Sequence, residues 1–484
     1  MEQLEPKPHI HFLGIGGIGV SALAQLALAR GYSISGSDIN VDTKDNPALE
    51  RLVNNGASVC AGHSADNIPE NTSLVVSSAA IGPDNSELIS AIQRSIRVVT
   101  RADYLGELMA KHIGPRIAVA GTHGKTTTTG MIGVMLQEAG LDPTVFVGAE
   151  IAQLGGNVRI GSETGPFVAE ACEAFDSFLS LTPDIAVVTN IEADHLDHYH
   201  NFEGVLTAFK MFLAGVPERG SIVACMDDPG VRKLEREAEI AAELCHYGID
   251  FGIDSVHGVK FADRVSGGSH PTFDIHYADE QITIRLNVAG RHNVQNALAT
   301  LLVGSILNVP AQRAAAGLGA FSGASRRQEI IGEVQLRRGS ILVMDDYAHH
   351  PTEITATMEA VISSYPNRRV IVVFQPHLYS RTRDFMEGFA TSLSRADVLL
   401  VTGIYPAREA PIPGVRASDI VDRASRLNSS ATSVFVPNKA DVPRTLAALS
   451  HPGDIALFLG AGDIREQAET YLGLLKRGAM SGPP

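Results

Sequence analysis

The sequence predicts an α/β protein of three domains, and three observations lead to this prediction. Short β-type runs alternate with helical patterns along most of the 484 residues, as in parallel sheets flanked by helices. Glycine and proline interrupt the alternation near residues 112–115. It returns after Arg326-Arg327, past a stretch of short strands. We therefore expect domains at residues 1–113, 114–325 and 326–484.

The composition favours a cytoplasmic protein. The formal net charge of −15 argues against nonspecific binding to nucleic acid or anionic membranes, although local loops can still bind nucleotides. No apolar run is long enough to span a membrane, and the N-terminus lacks a signal-peptide pattern. The 4 cysteines are widely spaced, which indicates reduced thiols. We expect neither a nucleic-acid nor a membrane partner, and a monomer or weak homodimer.

The first segment carries a glycine cluster that follows a strand at Ile10–Leu13 and precedes an apolar helical pattern. Gly14, Gly16 and Gly19 have the spacing of dinucleotide-binding loops. Asp38 lies about twenty residues further on, where such folds place a ribose-binding acid. Taken alone, the cluster suggests a nicotinamide-dependent dehydrogenase, but the diphosphate of any nucleotide would satisfy the same backbone donors. The alternative role of these glycines is close packing of strand and helix.

The second segment opens with the most informative run of the chain, Gly121–Thr128, which lies between a strand at Ile117–Ala120 and a predicted helix from Thr129 to Ala139. Glycine turns in this position let backbone N–H groups approach phosphate oxygens, while the helix N-terminus and Lys125 add positive charge. The Thr126 hydroxyl is then placed to ligate Mg²⁺. We interpret the run as a shortened phosphate loop for a triphosphate, with a glycine turn and a solvated lysine as the alternative. The first glycine cluster would then bind a nucleotide diphosphate that belongs to the substrate.

Acidic residues and a histidine follow two further strands of this segment. Glu170 and Glu173 come after one strand, and His195 comes after the next. Ligand sites in open α/β sheets lie at the carboxyl ends of strands, so these groups could complete a Mg²⁺ site near the γ-phosphate. His198 and His200 could instead join His195 in a zinc site. A plain solvated acidic loop is the third interpretation.

From Ser221 to Leu286 the pattern changes to short strands without long helices between them. We interpret this region as an antiparallel extension of the central domain. A helix is predicted from Val294 to Ile306, and His292, Asn293 and Asn296 lie near its start. Their side chains suit an adenine edge, whereas Asn293 could equally cap the helix.

The third segment repeats the strand–helix alternation. Its predicted strands are Ile341–Met344, Val370–Phe374, Val398–Thr402 and Ile455–Leu459. The polar runs Asp345–Pro351 and Gln375–Arg383 follow two of these strands, at the carboxyl edge of the predicted sheet. Acids there could hold an amino group, and arginines a carboxylate or a phosphate, with surface salt bridges as the alternative.

Together these motifs resemble the Mur ligase family over nearly the whole chain. The resemblance is carried by His11–Gly19, Gly121–Thr128, Thr189–Asp197, Gly290–Asn293 with Asn296, Arg326-Arg327, Asp346–Pro351 and Gln375–Thr382. The family fold has a uridine-nucleotide domain, a central ATPase domain and a C-terminal Rossmann-like domain. The resemblance implies ATP-dependent amide ligation in peptidoglycan synthesis, with UDP-N-acetylmuramate and L-alanine as substrates and ATP with Mg²⁺ or Mn²⁺ as cofactors.

The resemblance also implies roles for individual residues. The ATP side would be formed by Gly121, Thr122, His123, Gly124, Lys125, Thr126, Thr127, His292, Asn293, Asn296 and Arg327. The uridine diphosphate would lie along Gly14, Gly16, Gly17, Ile18, Gly19, Ser37, Asp38 and Ser78. Metal ligands would come from Thr126, Glu170, Glu173 and His195, and the amino-acid side from His349, His377, Tyr379 and Arg381. The catalytic set would be Lys125, His195, Arg327 and Asp346, the last two reaching ATP as the third domain closes.

Two positions depart from the family pattern. Leu378 stands where many members carry arginine, and Gly403 stands where an acid is usual. The carbamylated lysine of some family members has no clear counterpart, Lys210 being one candidate. The nearest alternative activity attaches a recycled peptide to UDP-N-acetylmuramate, although the Gly16-Gly17 pair favours L-alanine. A nucleotide sensor without turnover is an alternative of another class.

Overall fold

A computed structural model of the chain describes residues 8–39, 41, 46–251, 259–266, 268–277, 280–407 and 409–480. These residues divide into two compact units. The first takes in the chain up to Asp263 together with Asp274–Ile284 and Gln295–Ser322. The second takes in Arg264–Phe273, Arg285–Val294 and the chain from Gly323 onward.

The first sheet is parallel and has the strand order β3-β2-β1-β4-β5. Its elements are β1 (His9–Leu13), α1 (Ile18–Ala29), β2 (Ser33–Asp38), α2 (Pro47–Asn54), β3 (Ser58–Ala61), β4 (Thr72–Ser77), α3 (Ser86–Gln93), β5 (Arg97–Thr100) and α4 (Arg101–Ala110). The strand–helix alternation predicted for this segment is confirmed. The carboxyl ends of the strands therefore gather the loops after β1, β2 and β3 at one edge.

The central sheet belongs to the same compact unit and has the order β12-β11-β10-β6-β9-β7-β8. Its elements are β6 (Arg116–Ala120), α5 (Lys125–Glu138), β7 (Thr144–Ile151), β8 (Gly156–Arg159), β9 (Phe167–Glu170), β10 (Ile185–Val188), α6 (Leu196–Tyr199), α7 (Phe202–Ala214), β11 (Ser221–Cys225), α8 (Pro229–Glu237) and β12 (Glu243–Tyr247). The described pairs are parallel except that of β7 with β8.

The region after Ser221 corrects the predicted antiparallel extension. β11 pairs in parallel with β10, and β12 pairs in parallel with β11, so both strands continue the central sheet. Helix α8 connects them, with the Asp228 side chain accepting from Val231 N and Pro229 in the first turn. This Asp-Pro helix start was a signal in the sequence that the prediction missed.

A separate small sheet follows, with the order β13-β14-β15. Its strands are β13 (Val259–Ser266), β14 (Thr272–Tyr277) and β15 (Glu280–Arg285), and the helices after it are α9 (Arg291–Ile306) and α10 (Ala311–Ala320). Helix α9 begins three residues before the predicted start, and α5 begins at Lys125 rather than Thr129. Asn293 is therefore inside its helix and does not cap it: its Nδ2 donates to Ala289 O at 2.7 Å.

The third sheet lies in the second compact unit, with the order β16-β17-β21-β18-β19-β20. Its elements are β16 (Glu329–Leu336), β17 (Gly339–Asp346), α11 (Pro351–Ser364), β18 (Val370–Phe374), α12 (Tyr379–Asp384), α13 (Met386–Leu393), β19 (Val398–Thr402), α14 (Ser418–Leu427), β20 (Thr432–Val436), α15 (Val442–Leu449), β21 (Ile455–Leu459) and α16 (Arg465–Met480). All four predicted strands are confirmed, and β16, which is antiparallel to β17, and β20 are additions.

Apolar side chains cover both faces of the third sheet in two hydrophobic clusters. The alternation of inward and outward positions along β18 assigns Val372 to one cluster and Val373 to the other. Strands buried on both faces are the expected result of parallel α/β topology. Among the described helices, we find none that combines the length and apolarity required to cross a bilayer.

Candidate active site

The phosphate loop is a rigid turn between β6 and α5. Gly121 and Gly124 have φ values of 135° and 84°, which disfavour any residue with a Cβ. A Cβ on Gly124 would lie 2.9 Å from Asn296 Oδ1. Asn190 holds the loop from the end of β10, because its Oδ1 accepts from His123 N at 2.7 Å and its main-chain oxygen accepts from Thr122 N at 2.9 Å. The turn is thus fixed before any ligand binds.

Helix α5 starts directly from this loop at Lys125, and no side chain caps its first turn. Thr126 and Thr127 therefore belong to the first turn, where backbone N–H groups lack partners within the helix. A helix N-terminus of this kind favours anions through those N–H groups and the helix dipole. The geometry is that of a phosphate-binding loop.

Lys125 is held in place by three oxygen acceptors. Its Nζ donates to Gly121 O at 2.5 Å, to Thr122 O at 3.0 Å and to Glu173 Oε1 at 3.1 Å. Burial lowers the pKa of Lys125, but the carboxylate of Glu173 outweighs this effect and raises the pKa above its ordinary value. Lys125 is therefore a permanent buried cation beside the phosphate loop.

The predicted metal ligands surround this lysine. Glu170, the last residue of β9, accepts from Thr126 Oγ1 at 3.0 Å and from Gly148 N at 2.7 Å. The Oε1 of Glu173 lies 3.7 Å from His195 Nε2. The structure thus brings Glu170 to Thr126, and Glu173 to Lys125 and His195.

Left-handed backbone conformations concentrate next to these ligands. Phe175, Asp176 and His195 have φ between 52° and 56°, a conformation that costs energy in residues other than glycine. Asp176 and Tyr199 fasten the two segments together: Tyr199 OH donates to Glu173 O at 2.5 Å and to Asp176 Oδ1 at 3.0 Å. We interpret this strained backbone as a device that aims Glu173 and His195.

The zinc alternative is not supported by the histidine positions. The Nε2 of His198 lies 2.8 Å from Asp176 Oδ2. Within the described residues, His195, His198 and His200 do not gather their ring nitrogens within 4.8 Å of one another.

The glycine loop after β1 is held by the ends of neighbouring strands. Gly14 N donates to Ser37 O at 2.8 Å, and Gly16 N donates to Asp38 Oδ2 at 2.9 Å. A Cβ on Gly14 would lie 3.0 Å from the Cβ of Ser78. The Asp38 carboxylate therefore organises the loop itself, a role that the sequence did not predict.

The remaining predicted residues of this loop form the start of α1. Gly17 precedes the helix, Ile18 begins it and is 53% exposed, and Gly19 packs against the Arg101 side chain. Gly17 has no side chain to cap the helix, so the first-turn N–H groups of α1 remain open to a ligand. This is a second anion-binding geometry in the same compact unit.

Glu87 is a buried carboxylate that the sequence interpretation missed. It lies in the first turn of α3, is 0% exposed, and accepts from Ser37 Oγ at 2.5 Å and from His11 Nε2 at 3.2 Å. Burial by itself would raise the pKa of Glu87. Hydrogen bonds from His11, Ser37, Asn67 and Ser64 outweigh this effect and lower the pKa to about 2. The signal was available: polar residues alternate along β1 and β2, at positions that a buried strand normally fills with apolar side chains.

In the second compact unit, His292 is the second residue of α9 and lies 3.4 Å from the Gln328 amide nitrogen. Burial and then the nearby Arg327 lower the pKa of His292 to about 4. Arg327 lies over the Tyr347 ring at 5.3 Å and pairs with Glu353 at 3.4 Å. The predicted adenine contacts thus divide, with His292 and Asn293 in this unit and Asn296 in the other.

Asp346 closes β17 and is fully enclosed by donors. It accepts from Ala348 N at 2.8 Å, from Gln328 N at 3.0 Å and from Thr357 Oγ1 at 3.1 Å. Burial raises the pKa of Asp346 to about 6, although Arg327 acts in the opposite direction. Arg327 therefore lies near enough to Asp346 to act on its charge.

The residues predicted to bind the amino-acid substrate lie in the loops after β17 and β18 and at the start of α12. The rings of His349 and His377 are 5.9 Å apart, and His377 stacks on Tyr405 at 5.5 Å. Arg381 is buried within α12, which begins at Tyr379. Tyr405 was missed because it follows a different strand, β19, at the same edge of the sheet.

Leu378 adds a strained point to this group, with φ 68° and ψ 139°. Its N–H donates to Tyr405 O at 2.9 Å, and Tyr405 N donates to Pro376 O at 2.8 Å. Gly403 is the other departure from the family pattern. A larger residue would be crowded at this position, since its Cβ would lie 3.1 Å from Pro437 O.

Comparison with known proteins gives matches along nearly the whole chain. Three family models match in succession: the Mur ligase family catalytic domain over residues 9–113, the Mur ligase middle domain over 119–304, and the Mur ligase glutamate ligase domain over 326–462. The UDP-N-acetylmuramate–L-alanine ligase of Salinibacter ruber is 42% identical, with 98% of each chain covered. That of Trichlorobacter lovleyi is 41% identical, with 96% of this chain and 98% of the relative covered.

Solved structures show the same architecture. The chain resembles the UDP-N-acetylmuramate–alanine ligase MurC of Thermotoga maritima, with a TM-score of 0.79, 27% identity, and 98% and 100% of the two chains covered. It also resembles a murein peptide ligase of Psychrobacter arcticus, with a TM-score of 0.70, 26% identity, and 97% and 99% covered. These matches confirm the predicted fold class, α/β in three domains.

Proposed function

The chain belongs to the Mur ligase family, and from this premise we propose that it joins L-alanine to the lactyl carboxylate of UDP-N-acetylmuramate, with ATP converted to ADP and phosphate. The observation that carries this function is the 42% identity to an L-alanine ligase over 98% of both chains. The protein is an ATP-dependent ligase of peptidoglycan synthesis and acts on small-molecule substrates. The ligase function replaces the dehydrogenase that the first glycine loop alone suggested.

We assign one substrate to each predicted domain. Residues 1–113 bind the uridine substrate, 114–325 bind ATP, and 326–484 bind the amino acid and complete the ATP side. We further propose that the protein acts in the cytoplasm, as a monomer or a weak homodimer. Two open helix N-termini, one at α1 and one at α5, support the assignment of separate phosphate groups to the first two domains.

The γ-phosphate of ATP would be bound by the Gly121–Thr127 loop and by Lys125. Mg²⁺ fits the donors nearby, because Thr126 and Glu170 offer hard oxygen ligands within 3.1 Å of each other. Glu173 and His195 are the further candidate ligands. When bound, the ion would neutralise phosphate charge. His292, Asn293 and Asn296 would contact the adenine, and Arg327 and Asp346 would complete the ATP site.

The reaction follows from these positions in two steps. An oxygen of the lactyl carboxylate forms a bond to the γ-phosphorus of ATP, and the bond from that phosphorus to ADP breaks. The product is an acyl phosphate. Lys125 offsets the charge that develops on the transferred group. The neutral amine of L-alanine then attacks the acyl carbon, the bond from that carbon to the phosphate oxygen breaks, and the nitrogen releases its proton as inorganic phosphate departs.

We propose separate sets of residues for the two remaining substrates. The uridine diphosphate would lie along Gly14–Gly19 and near Ser37, Asp38 and Ser78. His349, His377, Tyr379 and Arg381 would hold the amino acid, where the buried guanidinium of Arg381 suits a carboxylate.

Release of phosphate from ATP tests the proposal. We expect full turnover only with UDP-N-acetylmuramate and L-alanine together, and the ligated product in equal amount to the phosphate. The similarity to a murein peptide ligase makes recycling of a peptide the second candidate. A tripeptide that replaces L-alanine with higher kcat/KM would establish the recycling activity instead, and NAD-dependent oxidation without phosphate release would reject both.

A further inference from the structure

Glu87 is held in a single orientation by four donors. Its Oε2 accepts from Ser37 Oγ and His11 Nε2, while Oε1 accepts from Ser64 N at 3.0 Å and Asn67 Nδ2 at 2.6 Å. A buried carboxylate with this many donors is stable only as the anion. It has no role in the reaction steps described above, so its place near the uridine-substrate loop requires another explanation.

The proton positions around Glu87 can be deduced in sequence. An ionised carboxylate only accepts hydrogen bonds, so the single hydroxyl proton of Ser37 points to Glu87. The Ser37 oxygen can then accept from His63 Nδ1, which lies 3.0 Å away. In the tautomer with the proton on Nδ1, the Nε2 of His63 carries a lone pair that can accept a hydrogen bond.

His63 ends this chain of contacts at the open edge of the sheet. It follows β3, and the side chain is 15% exposed. In the part of the chain that the structure describes, its Nε2 makes no hydrogen bond. β3, β2 and β1 are parallel neighbours, so His63, Ser37 and the Gly14 loop lie at the same edge.

We propose that Glu87 is a positioning residue of the uridine-substrate site, which through Ser37 fixes the Nδ1-protonated tautomer of His63 and presents its Nε2 to the bound uridine nucleotide. Glu87 itself does not touch the substrate. Ser37 acts from behind His63 and orients it, since its proton is committed to Glu87. The proposal rests on the proposed function, because it takes the uridine nucleotide as the ligand of this edge.

Three substitutions test the chain of contacts: Glu87→Gln, Ser37→Ala and His63→Ala. We expect each to raise the KM for UDP-N-acetylmuramate roughly tenfold, the effect of about 1.4 kcal/mol, with kcat and the KM for ATP changed less than about twofold. The matched control is Ser73→Ala. Ser73 lies on β4 of the same sheet, but its hydroxyl donates to the main-chain oxygen of His9 at 3.0 Å, outside the contacts of Glu87, Ser37 and His63. Its KM for UDP-N-acetylmuramate should remain that of the wild type.

A spectroscopic measurement separates positioning from mere stability. In protein labelled with ¹⁵N-histidine at pH 8, the His63 signals, identified by their loss in His63→Ala, should report a protonated Nδ1. Addition of UDP should shift the Nε2 signal, and Ser37→Ala should remove the tautomer preference while the fold persists in thermal melting.

Two results would overturn the proposal: an Nε2-protonated His63 in the wild type, or an unchanged UDP affinity in His63→Ala measured by calorimetry. UDP binding is measured without turnover, so it tests Glu87 and His63 even if ligation of L-alanine fails. A wild type that binds UDP through His63 but ligates no alanine would therefore reject the proposed reaction and keep this inference.

Discussion

At the scale of single residues, charge compensation explains how a buried lysine is kept at the centre of the proposed ATP site. Lys125 keeps its proton despite burial because Glu173 lies 2.8 Å away. Glu173 in turn is fixed through its backbone oxygen, which accepts from Tyr199. The cation is thus placed before ATP binds, and little reorganisation remains for the transition state to require.

Replacement of Lys125 by alanine should nearly abolish ligation and leave binding of UDP-N-acetylmuramate intact. Loss of a preorganised cation costs on the order of 3–4 kcal/mol in the transition state, or a hundredfold to a thousandfold in kcat. Lys233→Ala is the control and should have normal activity, since Lys233 lies on α8 and pairs with Glu203 on α7. Turnover of Lys125→Ala near that of wild type would remove the phosphate-loop assignment.

Variants of the proposed metal ligands should differ from the wild type in the Mg²⁺ concentration that activity requires at saturating ATP. We expect Glu170→Gln and His195→Ala to require more Mg²⁺ than the wild type, because fewer protein ligands then offset dehydration of the ion. Mn²⁺ should partly rescue Glu170→Gln, since it accepts amide ligands more readily. Glu237→Gln serves as the control.

The titration also decides between the two carboxylates. A shifted curve for Glu173→Gln alone would move the carboxylate ligand by three residues. Curves that superimpose for all variants would show that none of these groups ligates the ion.

Protonation of the His292 imidazole should make the stability of the second unit depend on pH. Its pKa of about 4 in the folded state lies below the ordinary 6.5, so the unfolded chain binds more protons between these values. Stability contributed by His292 is therefore complete above pH 6.5 and is lost as the pH falls towards 4. This difference between the two pKa values corresponds to about 3 kcal/mol.

Urea unfolding at pH 7 and pH 4.5 measures this effect. The wild type should lose more stability on acidification than His292→Gln does. Asp346, whose pKa is raised to about 6, acts with the opposite sign, so the comparison between variants carries the test. Equal losses in both proteins would contradict a depressed pKa at His292.

At the scale of elements, both proposed nucleotide loops lead into an uncapped helix at the carboxyl edge of a sheet. Gly17 precedes α1 and Gly124 precedes α5, and neither residue offers a side chain to the first turn. The backbone N–H groups are therefore left for phosphate oxygens. Asp38 and Asn190, each at the end of a neighbouring strand, hold the two loops in the required shape.

A side chain at Gly16 should block the uridine diphosphate without affecting ATP. We expect Gly16→Val to raise the KM for UDP-N-acetylmuramate roughly tenfold or more, the effect of about 1.4 kcal/mol or more. The KM for ATP, measured in the same preparation, is the internal control because the ATP loop belongs to another sheet. A folded variant with an unchanged uridine-substrate KM would show that the loop is only a packing device.

At the scale of the whole molecule, the first two sheets behave as one compact unit and the third as another. Arg51 and Glu150 pair at 2.8 Å between the first two sheets, and Asn157 Nδ2 donates to Ile18 O at 2.7 Å. One hydrophobic cluster also runs through both. The domains that bind the uridine substrate and ATP are therefore expected to be stable together.

Thermal unfolding should accordingly show two transitions rather than three. Saturating UDP-N-acetylmuramate should raise the midpoint temperature of the first unit's transition alone. At a ligand concentration one hundred times Kd, the free energy of unfolding of that unit should increase by about 2.7 kcal/mol. Scanning calorimetry with and without ligand measures both. A separate transition for residues 1–113 would contradict a single unit.

The sequence by itself determined the α/β class and the family, and it predicted the two nucleotide loops. Glycine spacing, the Gly-Lys-Thr run and the alternation of strands and helices are local patterns, and each carries its own chemistry. The predicted strands of all three segments are present in the structure. Helix starts were less accurate: α5 begins at Lys125 because the threonines that follow it pack within its first turns, and Thr126, Thr128 and Thr129 are buried.

Only the tertiary structure decided which side chains meet. The region that contains β11 and β12 is predicted from its sequence to be an antiparallel extension. In the structure β11 pairs with β10 and β12 pairs with β11, so both strands belong to the parallel part of the central sheet. Glu87 joins Ser37 and His63 across 50 and 24 residues of chain, and no local pattern marks such a contact. Strand order brings these residues to one edge, and the cost of burying an unpaired charge then selects the hydrogen bonds that hold them there.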